Sequence, residues 1–350
     1  MEESYPMTGG DGPLNYAKNS NPQRREADNA KALLVGKIFE SLDIEHICPK
    51  SNSFRIADLG CSIGPNTYIA VNNIIEVVTQ KYHSKGHTSL PEFQVFFNDH
   101  VSNDFNFLYA NLPPERKYFA AGVPGSFYTR LFPKGSIHFI YSTYALQWLS
   151  KTPVELGKLS SPSCNKGRIY YSNASNEVGQ AYSTQYAKDI GSFLCARAEE
   201  LAPAGLMKIL IPGRNDGILP AQSSLGPHFE DLESILLDMA NEGIISKDKI
   251  DSFNLPIYYP SMEELQTLIL KNGCFDIVRL VGQRRKYHTI SVMELKAGLE
   301  GIFNKHFGSE SVDHLFNRYA KIIAGRPLIS AAADDAKYMM GLFVLLKRKN

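Results

Sequence analysis

The 350-residue sequence has no surplus of charge of either sign, with 37 Lys and Arg residues against 36 Asp and Glu residues. The basic excess of a typical nucleic-acid binder is therefore absent. Its five cysteines are scattered without a C-x-x-C spacing, which argues against a disulfide framework and a structural zinc site. No apolar run reaches the roughly 18 residues of a membrane span, and the turn-rich N-terminus carries no secretory signal. We therefore expect a soluble, cytoplasmic protein that binds neither nucleic acid nor a membrane.

Several motifs of nucleotide-binding and metal-dependent enzymes are also missing. The sequence contains no Gly-Lys-Ser/Thr of a P-loop, no G-x-G-x-x-G of a dinucleotide-binding fold and no H-E-x-x-H of a zinc protease. These absences argue against nucleotide hydrolysis, a pyrophosphate cofactor and zinc-dependent hydrolysis. Aromatic residues make up 11% of the chain, which permits a pocket with aromatic walls.

The hydrophobic pattern that is present predicts an α/β fold. Short apolar runs predict strands, and the stretches with helical periodicity between them predict helices. Because strands and helices alternate, we expect a parallel sheet with helices on both faces. The predicted strands cover residues 54–60, 93–97, 136–141, 206–212, 276–281 and 342–346, and the predicted helices cover residues 26–43, 66–82 and 182–201.

Two segments interrupt this alternation with helices that have no strand between them, and we expect them to cap the carboxyl edge of the sheet. The predicted organisation has three parts: a polar N-terminal segment, a sheet core and a helical cap lobe. They cover residues 1–25, then residues 26–213 with strands 276–281 and 341–348, then residues 214–272 and 284–336.

A glycine loop joins the first predicted strand to the helix that follows it, in the segment DLGCSIGPN from Asp58 to Asn66. Gly60 and Gly64 let the backbone turn sharply and approach a ligand closely. Open α/β sheets bind ligands beyond the carboxyl ends of their strands. Asp99 ends the next predicted strand, where its carboxylate can accept two hydrogen bonds from a diol. The alternative for Asp58 is a carboxylate that caps backbone N–H groups of the turn. The alternative for Asp99 is a solvent-exposed residue at the end of a strand.

A series of motifs spread over nearly the whole chain resembles the plant SABATH methyltransferases. That family includes carboxyl methyltransferases of salicylic, benzoic, jasmonic, indoleacetic and loganic acid, and the caffeine-pathway N-methyltransferases. The matching motifs are, in chain order, Asn19–Arg24, Ala57–Ser62, Phe97–Asp99, Val123–Tyr128, Ser142–Ser150, Asn165–Gly167 and Asp251–Pro256.

The resemblance implies a Rossmann-like class I methyltransferase sheet with a helical cap lobe, an N-terminal lid, and a homodimer. It implies S-adenosyl-L-methionine as the cofactor, S-adenosyl-L-homocysteine as its product, and a small carboxylic acid as the substrate. The cofactor residues that it implies are Tyr16, Ser20, Asp58, Gly60, Cys61, Asn66, Asp99, His100, Ser126 and Phe127.

The resemblance also implies a substrate pocket in which Gln23 and Trp148 hold the carboxylate as catalytic residues. The implied pocket residues are Tyr16, Gln23, Tyr144, Gln147, Trp148, His228, Phe229, Leu295 and Met339. A magnesium ion is implied at Asn165, Asp251, Phe253 and Asn254, for which a structural contact between a helix and a loop is the alternative.

These residues suit methyl transfer to a carboxylate. A carboxylate has a pKa near ~4 and is already the nucleophile at neutral pH, so the reaction needs no general base. The enzyme must mainly hold one oxygen in line with the methyl group, at roughly 3–3.5 Å. The amide of Gln23 and the indole of Trp148 offer uncharged N–H donors, whereas a bidentate arginine would bind the carboxylate in a strong ion pair and weaken its attack.

The pocket positions leave the substrate open. The carboxamide of Gln147 and the pair His228-Phe229 favour an acid with polar decoration, or a medium-sized terpenoid, iridoid or aromatic acid. The alternatives are N-methylation of a xanthine or other purine alkaloid precursor, and a catalytically silent protein that binds an acid.

Overall fold

The apolar runs of the sequence form one seven-stranded sheet. The computed structural model of the protein describes residues 6–21, 23–24, 36–47, 53–158, 160–220, 227–284, 291–325 and 340–350. The strands are β1 (Ser53–Leu59), β2 (Glu92–Asp99), β3 (Phe119–Pro124), β4 (Ile137–Thr143), β5 (Leu201–Gly213), β6 (Phe275–Arg284) and β7 (Met340–Arg348). Their spatial order is β3-β2-β1-β4-β5-β7-β6.

The α/β prediction and all six predicted strands are confirmed, but the prediction of an all-parallel sheet is wrong for one strand. β7 runs antiparallel to both of its neighbours, β5 and β6. In the described part of the chain, two helices lie between β6 and β7. β7 begins at the edge at which β6 ends, since Met340 pairs with Arg284.

β3, the strand at the edge of the sheet, was not predicted from the sequence. Its segment FAAGVP has mostly small residues, and Phe119 is 61% exposed. An edge strand that is not buried on either face needs no continuous apolar run, so the pattern that identifies central strands is absent here.

The helices cover both faces and the carboxyl edge of the sheet. Of the predicted helices, residues 66–82 are confirmed, residues 182–201 begin earlier at Asn176, and residues 26–43 lie largely outside the described part. The helices are α1 (Tyr16–Asn19), α2 (Ile44–Ile47), α3 (Pro65–Ser84), α4 (Phe105–Ala110), α5 (Asn176–Glu200), α6 (Pro227–Asn241), α7 (Lys247–Asp251), α8 (Met262–Asn272), α9 (Val292–Phe307) and α10 (Ser309–Gly325). Among these described helices, none is long and apolar enough to cross a membrane.

Two hydrophobic clusters sandwich the sheet. On one face, α3 contributes Val71 and Val78 and packs against strand residues such as Phe139. On the other face, α5 and the predicted cap helices α6, α9 and α10 share a single cluster with the strands. These three helices therefore share one hydrophobic core with the sheet.

Candidate active site

A cavity of about 260 Å³ lies at the carboxyl ends of β1, β2 and β4. The described part of the N-terminal segment and helix α9 form the other walls. Ser20 is not among the residues that line the cavity. Met339 lies outside the described residues. The predicted residues that line the cavity are Tyr16, Gln23, Asp58, Gly60, Cys61, Asn66, Asp99, His100, Ser126, Phe127, Tyr144, Gln147, Trp148, His228, Phe229 and Leu295.

The glycine loop makes a tight turn at the end of β1. Gly60 has a φ of +83°, and a Cβ at this position would collide with the Cβ of Ala145. The backbone N–H groups of Gly60 and Cys61 both donate to the Asn98 carbonyl, at 2.9 and 3.0 Å. The turn requires glycine here, because a side chain would need both a left-handed backbone and space that is already occupied.

Asp99 is fixed by the same loop. One carboxylate oxygen accepts from the Ser62 N–H at 2.7 Å and the other from the His100 N–H at 2.8 Å. Burial raises the pKa of Asp99, and these backbone hydrogen bonds oppose the rise. Each oxygen retains a second lone pair, so the carboxylate can still accept hydrogen bonds from a ligand in the cavity.

Asp58 lies deeper in the same wall and is 3% exposed. Its Oδ2 accepts from the hydroxyl of Tyr141 at 2.7 Å and from the hydroxyl of Thr67. Burial raises the pKa of Asp58 to about 7; these two hydrogen bonds and the positive charge of Lys208 oppose the rise, and the charge of Asp99 adds to it. Oδ1 accepts no hydrogen bond from any described residue, so this oxygen remains for a ligand.

The N-terminal segment is fastened across the cavity at several points. The side chain of Asn66, at the start of α3, donates to the carbonyl of Ser20 at 3.1 Å and to its hydroxyl at 2.9 Å. The hydroxyl of Thr8 donates to the carbonyl of Ala297 in α9 at 3.3 Å. These contacts bring Tyr16 and Gln23 to the cavity, although the polar composition of the segment is typical of a disordered tail.

The loop that carries Ser126 and Phe127 is held from behind by a buried ion pair. The guanidinium of Arg197 donates to the carbonyls of Phe127 and Thr129, at 2.7 and 2.8 Å. It also pairs with Glu200 at 2.8 Å, and both side chains are fully buried. The pair lies in α5, so the helix fixes the position of the loop that faces the cavity.

Gln147 lines the cavity, and its amide is held in a defined orientation. Its side-chain N–H donates to the carbonyl of Tyr144 at 2.7 Å. Because a backbone carbonyl only accepts, the other end of the amide must be the oxygen. That oxygen is buried and has no partner within the described chain, and the residue is 8% exposed. The wall of the cavity therefore contains an unpaired acceptor.

Trp148 and Gln23 line the cavity from opposite chain segments. The backbone of Trp148 pairs with Ile257 in an isolated antiparallel bridge, and the hydroxyl of Tyr128 donates to its carbonyl at 2.5 Å. These contacts fix the segment that carries the indole ring. Gln23 has a buried side-chain oxygen without a partner in the described regions.

The predicted His228-Phe229 wall is also in place. Nδ1 of His228 is hydrogen-bonded to the hydroxyl of Tyr319 in α10. The ring of Phe229 packs on the ring of Tyr170, with centroids 5.3 Å apart. His228 therefore lies between the cavity and a cap helix, in a buried polar pair rather than at the surface.

Comparison with known proteins identifies the family. A family model described as SAM-dependent carboxyl methyltransferase matches residues 2–349. This chain belongs to the SABATH family of carboxyl methyltransferases. It is an enzyme that uses S-adenosyl-L-methionine to methylate carboxyl groups.

Two relatives and one solved structure illustrate the similarity. Loganic acid O-methyltransferase of Catharanthus roseus is 44% identical over 356 residues, covering 99% of this chain and 95% of the relative. Paraxanthine methyltransferase 2 of Arabidopsis thaliana is 36% identical over 354 residues, covering 99% of each. A solved structure of loganic acid methyltransferase with SAH superposes with a TM-score of 0.90 at 43% identity, covering 99% of both chains.

Some cavity residues of this methyltransferase were not predicted. Ser62, Tyr128 and Ala145 lie inside motifs that had been identified in the sequence, so their position near the site could have been predicted from it. Glu294, Gly298 and Leu299 would follow from the helical spacing around Leu295. The further residues that line the cavity are Met7, Thr67, Ala70, Tyr141, Thr143, Leu149, Ser150, Ile257 and Tyr259.

The glycine loop also fits the G-x-S-x-G pattern of serine hydrolases, through Gly60, Ser62 and Gly64. Ser62 has a φ of +52° between a strand and a helix, as such an elbow requires. Its hydroxyl, however, is buried and has no hydrogen-bond partner in the described part of the chain. Without a neighbouring base the hydroxyl is not activated. Ser62 therefore does not act as a nucleophile, and the role of the loop is to bind a ligand.

The predicted magnesium residues are not among those that line the cavity. The side chain of Asn165 donates to the side-chain oxygen of Asn254 at 2.6 Å. Asp251 accepts from the N–H of Gly167 at 2.8 Å. The side-chain oxygen of Asn165 is buried and has no partner among the described residues. One oxygen of this group is therefore left for a ligand, whereas two accept from protein donors.

Proposed function

We propose that this methyltransferase esterifies a small carboxylic acid that carries a second polar group. The observation that carries the proposal is the unpaired oxygen of Gln147, a residue of the cavity wall, and we propose that a donor group of the substrate binds it. Gln23 and Trp148, the predicted carboxylate donors, line the same cavity. One cavity thus offers donors for a carboxylate and an acceptor for a hydroxyl or N–H group.

The residues around the glycine turn fit S-adenosyl-L-methionine. In the proposed site, Oδ1 of Asp58 accepts from the amino group of the cofactor, and Asp99 accepts from the ribose hydroxyls. Ser126 and Phe127 are proposed to flank the adenosine, on the loop that Arg197 holds. The bound cofactor supplies an electrophilic methyl group on a positively charged sulfur.

The chain's own contribution to the reaction is proposed to be orientation. The side chains of Gln23 and Trp148 donate to the substrate carboxylate and align one oxygen for in-line displacement, which lowers the barrier by several kcal/mol. No proton has to be removed, because the carboxylate is ionised at neutral pH. The N-terminal segment acts as a lid that excludes water, which favours a reaction in which opposite charges cancel.

The iridoid acids are the substrate group that the comparisons favour. Loganic acid O-methyltransferase is similar along nearly its whole length, and loganic acid carries polar groups besides its carboxyl group. In this chain Gln147 and the pair of His228 and Tyr319 offer polar contacts at the cavity wall. We therefore place a hydroxylated terpenoid or iridoid acid ahead of a bare aromatic acid.

N-methylation of a purine is the second candidate, because paraxanthine methyltransferase 2 is also a full-length relative. A purine N–H could donate to the oxygen of Gln147, but it would not need the two donors aimed at a carboxylate. A homodimer, a cytoplasmic location and a bound magnesium ion stay predictions.

The experiment is a transfer assay with methyl-labelled S-adenosyl-L-methionine. The panel contains loganic acid, aromatic and terpenoid acids with and without hydroxyl groups, xanthosine and paraxanthine. We expect label that organic solvent extracts and alkali releases as methanol, which identifies an ester. Alkali-stable label on a purine would contradict the proposal, and cofactor binding without transfer to any acid would favour a silent binding protein.

A further inference from the structure

A row of polar side chains crosses the buried face of the sheet under helix α3. Asp58 of β1 is paired in register with Tyr141 of β4, and Tyr141 is paired with Lys208 of β5. Partners in register on neighbouring parallel strands point to the same face of the sheet. The three side chains therefore form a continuous line, with Asp58 at the end that borders the cavity.

Lys208 is an unusual member of this row. The residue is 4% exposed, and its neighbours along the strand on this face, Leu206 and Leu210, belong to the hydrophobic cluster. Its Nζ is 3.4 Å from the hydroxyl of Thr143 and 5.9 Å from the ring centroid of Tyr141. Lysine is almost never fully buried unless it is paired, so its presence here calls for a partner.

The only carboxylate whose charge acts on Lys208 within the described structure is Asp58. Burial lowers the pKa of Lys208 to about 8, and the charge of Asp58 opposes this. The charge of Lys208 in turn opposes the rise in the pKa of Asp58. Tyr141 lies between them, since its hydroxyl donates to Asp58 and its ring faces the ammonium. The two charges are thus coupled across one aromatic side chain.

We propose that Lys208 is a positioning residue of the cofactor site, the buried counter-charge that keeps the Asp58 carboxylate ionised and able to accept the cofactor's amino group. It acts through Asp58 and Tyr141 and does not itself line the cavity. The inference rests on the proposed role of Asp58. It accounts for a lysine in the middle of an otherwise apolar strand, LMKILIP.

Other charged and titratable groups also face Asp58, and the test must separate them. Asp99 of β2 raises its pKa, Cys61 of the glycine turn lies near enough to feel its charge, and Tyr141 donates to it. His100 lies beside Asp99 and lowers the pKa of that carboxyl. None of these groups changes when Lys208 is replaced, so the difference between matched variants isolates the effect of the lysine.

The experiment measures the dissociation constant of S-adenosyl-L-homocysteine by calorimetry between pH 5.5 and 9. Lys208→Met keeps the length of the side chain and removes the charge, and it suits the surrounding apolar cluster. Lys347→Met, in β7 of the same sheet, is the matched control because Lys347 is half-buried and lies outside the row. The titration of the ligand's own groups is common to all variants and cancels.

In the wild-type protein, binding should weaken as the pH falls through about 7, where Asp58 takes up a proton. In Lys208→Met we expect this midpoint to move up by about one pH unit, since an opposite charge nearby shifts a carboxyl by roughly that much. The dissociation constant then rises about fivefold at pH 7 and about tenfold at pH 5.5, and the difference narrows by pH 9. Lys347→Met should behave as the wild type.

A loss of affinity by the same factor at every pH would show a merely structural role and overturn the inference, as would an unshifted midpoint. Asp58→Asn separates this failure from that of the proposed function. If Asp58→Asn binds as tightly as the wild type at pH 8, the proposed role of Asp58 itself is wrong. If it binds weakly but Lys208→Met still shifts the midpoint in that background, Lys208 acts through another group.

Discussion

Trp148 is the single tryptophan of the chain, and it is one of the residues that line the cavity. Trp148→Phe keeps an aromatic ring and removes the N–H donor. We expect kcat to fall about 100-fold, as it does when one oriented donor is lost, while the dissociation constant of S-adenosyl-L-homocysteine changes less than about twofold.

Steady-state kinetics and calorimetry measure these two quantities. A parallel loss of affinity for S-adenosyl-L-homocysteine would show that Trp148 belongs to the cofactor part of the site. Such a result would contradict the proposal that Trp148 orients the substrate carboxylate.

Gln147 carries the prediction about substrate choice. Gln147→Met is similar in size but removes the buried oxygen that lacks a partner. A hydroxylated acid then loses a hydrogen bond worth about 1–3 kcal/mol in a buried site, and its kcat/KM should fall roughly 10- to 100-fold. The analogue without that hydroxyl should keep its kcat/KM or gain. Equal losses for both acids would contradict the assignment of this oxygen to substrate recognition.

The roles of single residues could be predicted where the residues belong to a sequence motif. They could not be predicted where the role depends on contacts between distant parts of the chain. Asp58 and Asp99 were predicted near the carboxyl ends of neighbouring strands, and both line the cavity. Lys208 was not singled out, although a lone charge in an apolar strand is a visible signal. Its significance depends on strand register, which brings Lys208 next to Tyr141 and which no single sequence segment contains.

At the scale of elements, helix α5 supports the loop of Ser126 and Phe127 through one buried pair. Glu200 also accepts from the N–H groups of Leu131 and Phe132, at 2.5 and 3.1 Å. The fork of Arg197 holds the carbonyls of the same loop. The pair therefore fixes both backbone donors and backbone acceptors of a segment that has no regular structure of its own.

Arg197→Lys tests this support. A lysine keeps the charge but offers a point donor instead of a planar fork, so it cannot reach Glu200 and both loop carbonyls together. We expect the affinity for S-adenosyl-L-homocysteine to fall about tenfold and the midpoint of thermal unfolding to fall by several degrees. Calorimetry and a thermal scan measure the two effects.

Arg130→Lys is the matched control in the same loop. Arg130 pairs with Glu199 at 2.8 Å, but both side chains are about half exposed, and such surface pairs contribute only about 0–1 kcal/mol. The control should bind and unfold as the wild type does. Equal effects of the two substitutions would mean that burial of the Arg197 pair is irrelevant to the loop.

The predictable elements were those with a strong internal pattern. β1 and β5 consist mostly of buried residues because both of their faces are covered. Helix α8 was not recognised, although Ser261 caps its first turn by accepting from the N–H of Glu264 at 3.1 Å. That S-x-x-E spacing was a usable signal. The direction of β7 could not be predicted, because the apolar pattern of a strand is the same in parallel and antiparallel pairing.

At the scale of the whole molecule, His138 couples the stability of the fold to pH. It is buried in β4, and its Nδ1 accepts from the backbone N–H of Arg55 in β1 at 2.9 Å. Protonation of Nδ1 would break this contact. Burial, helped by the charge of Arg55, lowers the pKa of His138 to about 4, well below the value near ~6.5 of an unfolded chain.

The unfolded chain therefore binds more protons than the folded one between pH 6.5 and 4, so the stability is complete above this window and is lost as the pH falls through it. The histidine should account for about 2 kcal/mol of unfolding free energy lost between pH 7.5 and 5. His138→Asn keeps an acceptor but does not titrate. We therefore expect the variant to lose about 2 kcal/mol less unfolding free energy than the wild type between pH 7.5 and 5, as measured by urea unfolding.

His314→Asn, an exposed position on α10, provides the comparison. Its pH dependence should match that of the wild type. An unchanged slope in His138→Asn would mean that other groups dominate the acid sensitivity of the fold.

The position of β7 between β5 and β6 has a consequence for biosynthesis. β6 forms its ladder with β7, yet it leaves the ribosome first, followed by α9 and α10. Throughout that interval the backbone N–H and C=O groups of β6 lack their partner strand. An unpaired strand edge of this kind readily pairs with other chains and promotes aggregation. We expect this enzyme to depend on chaperones while it is being made, and to be prone to aggregation if translation stalls before β7 emerges.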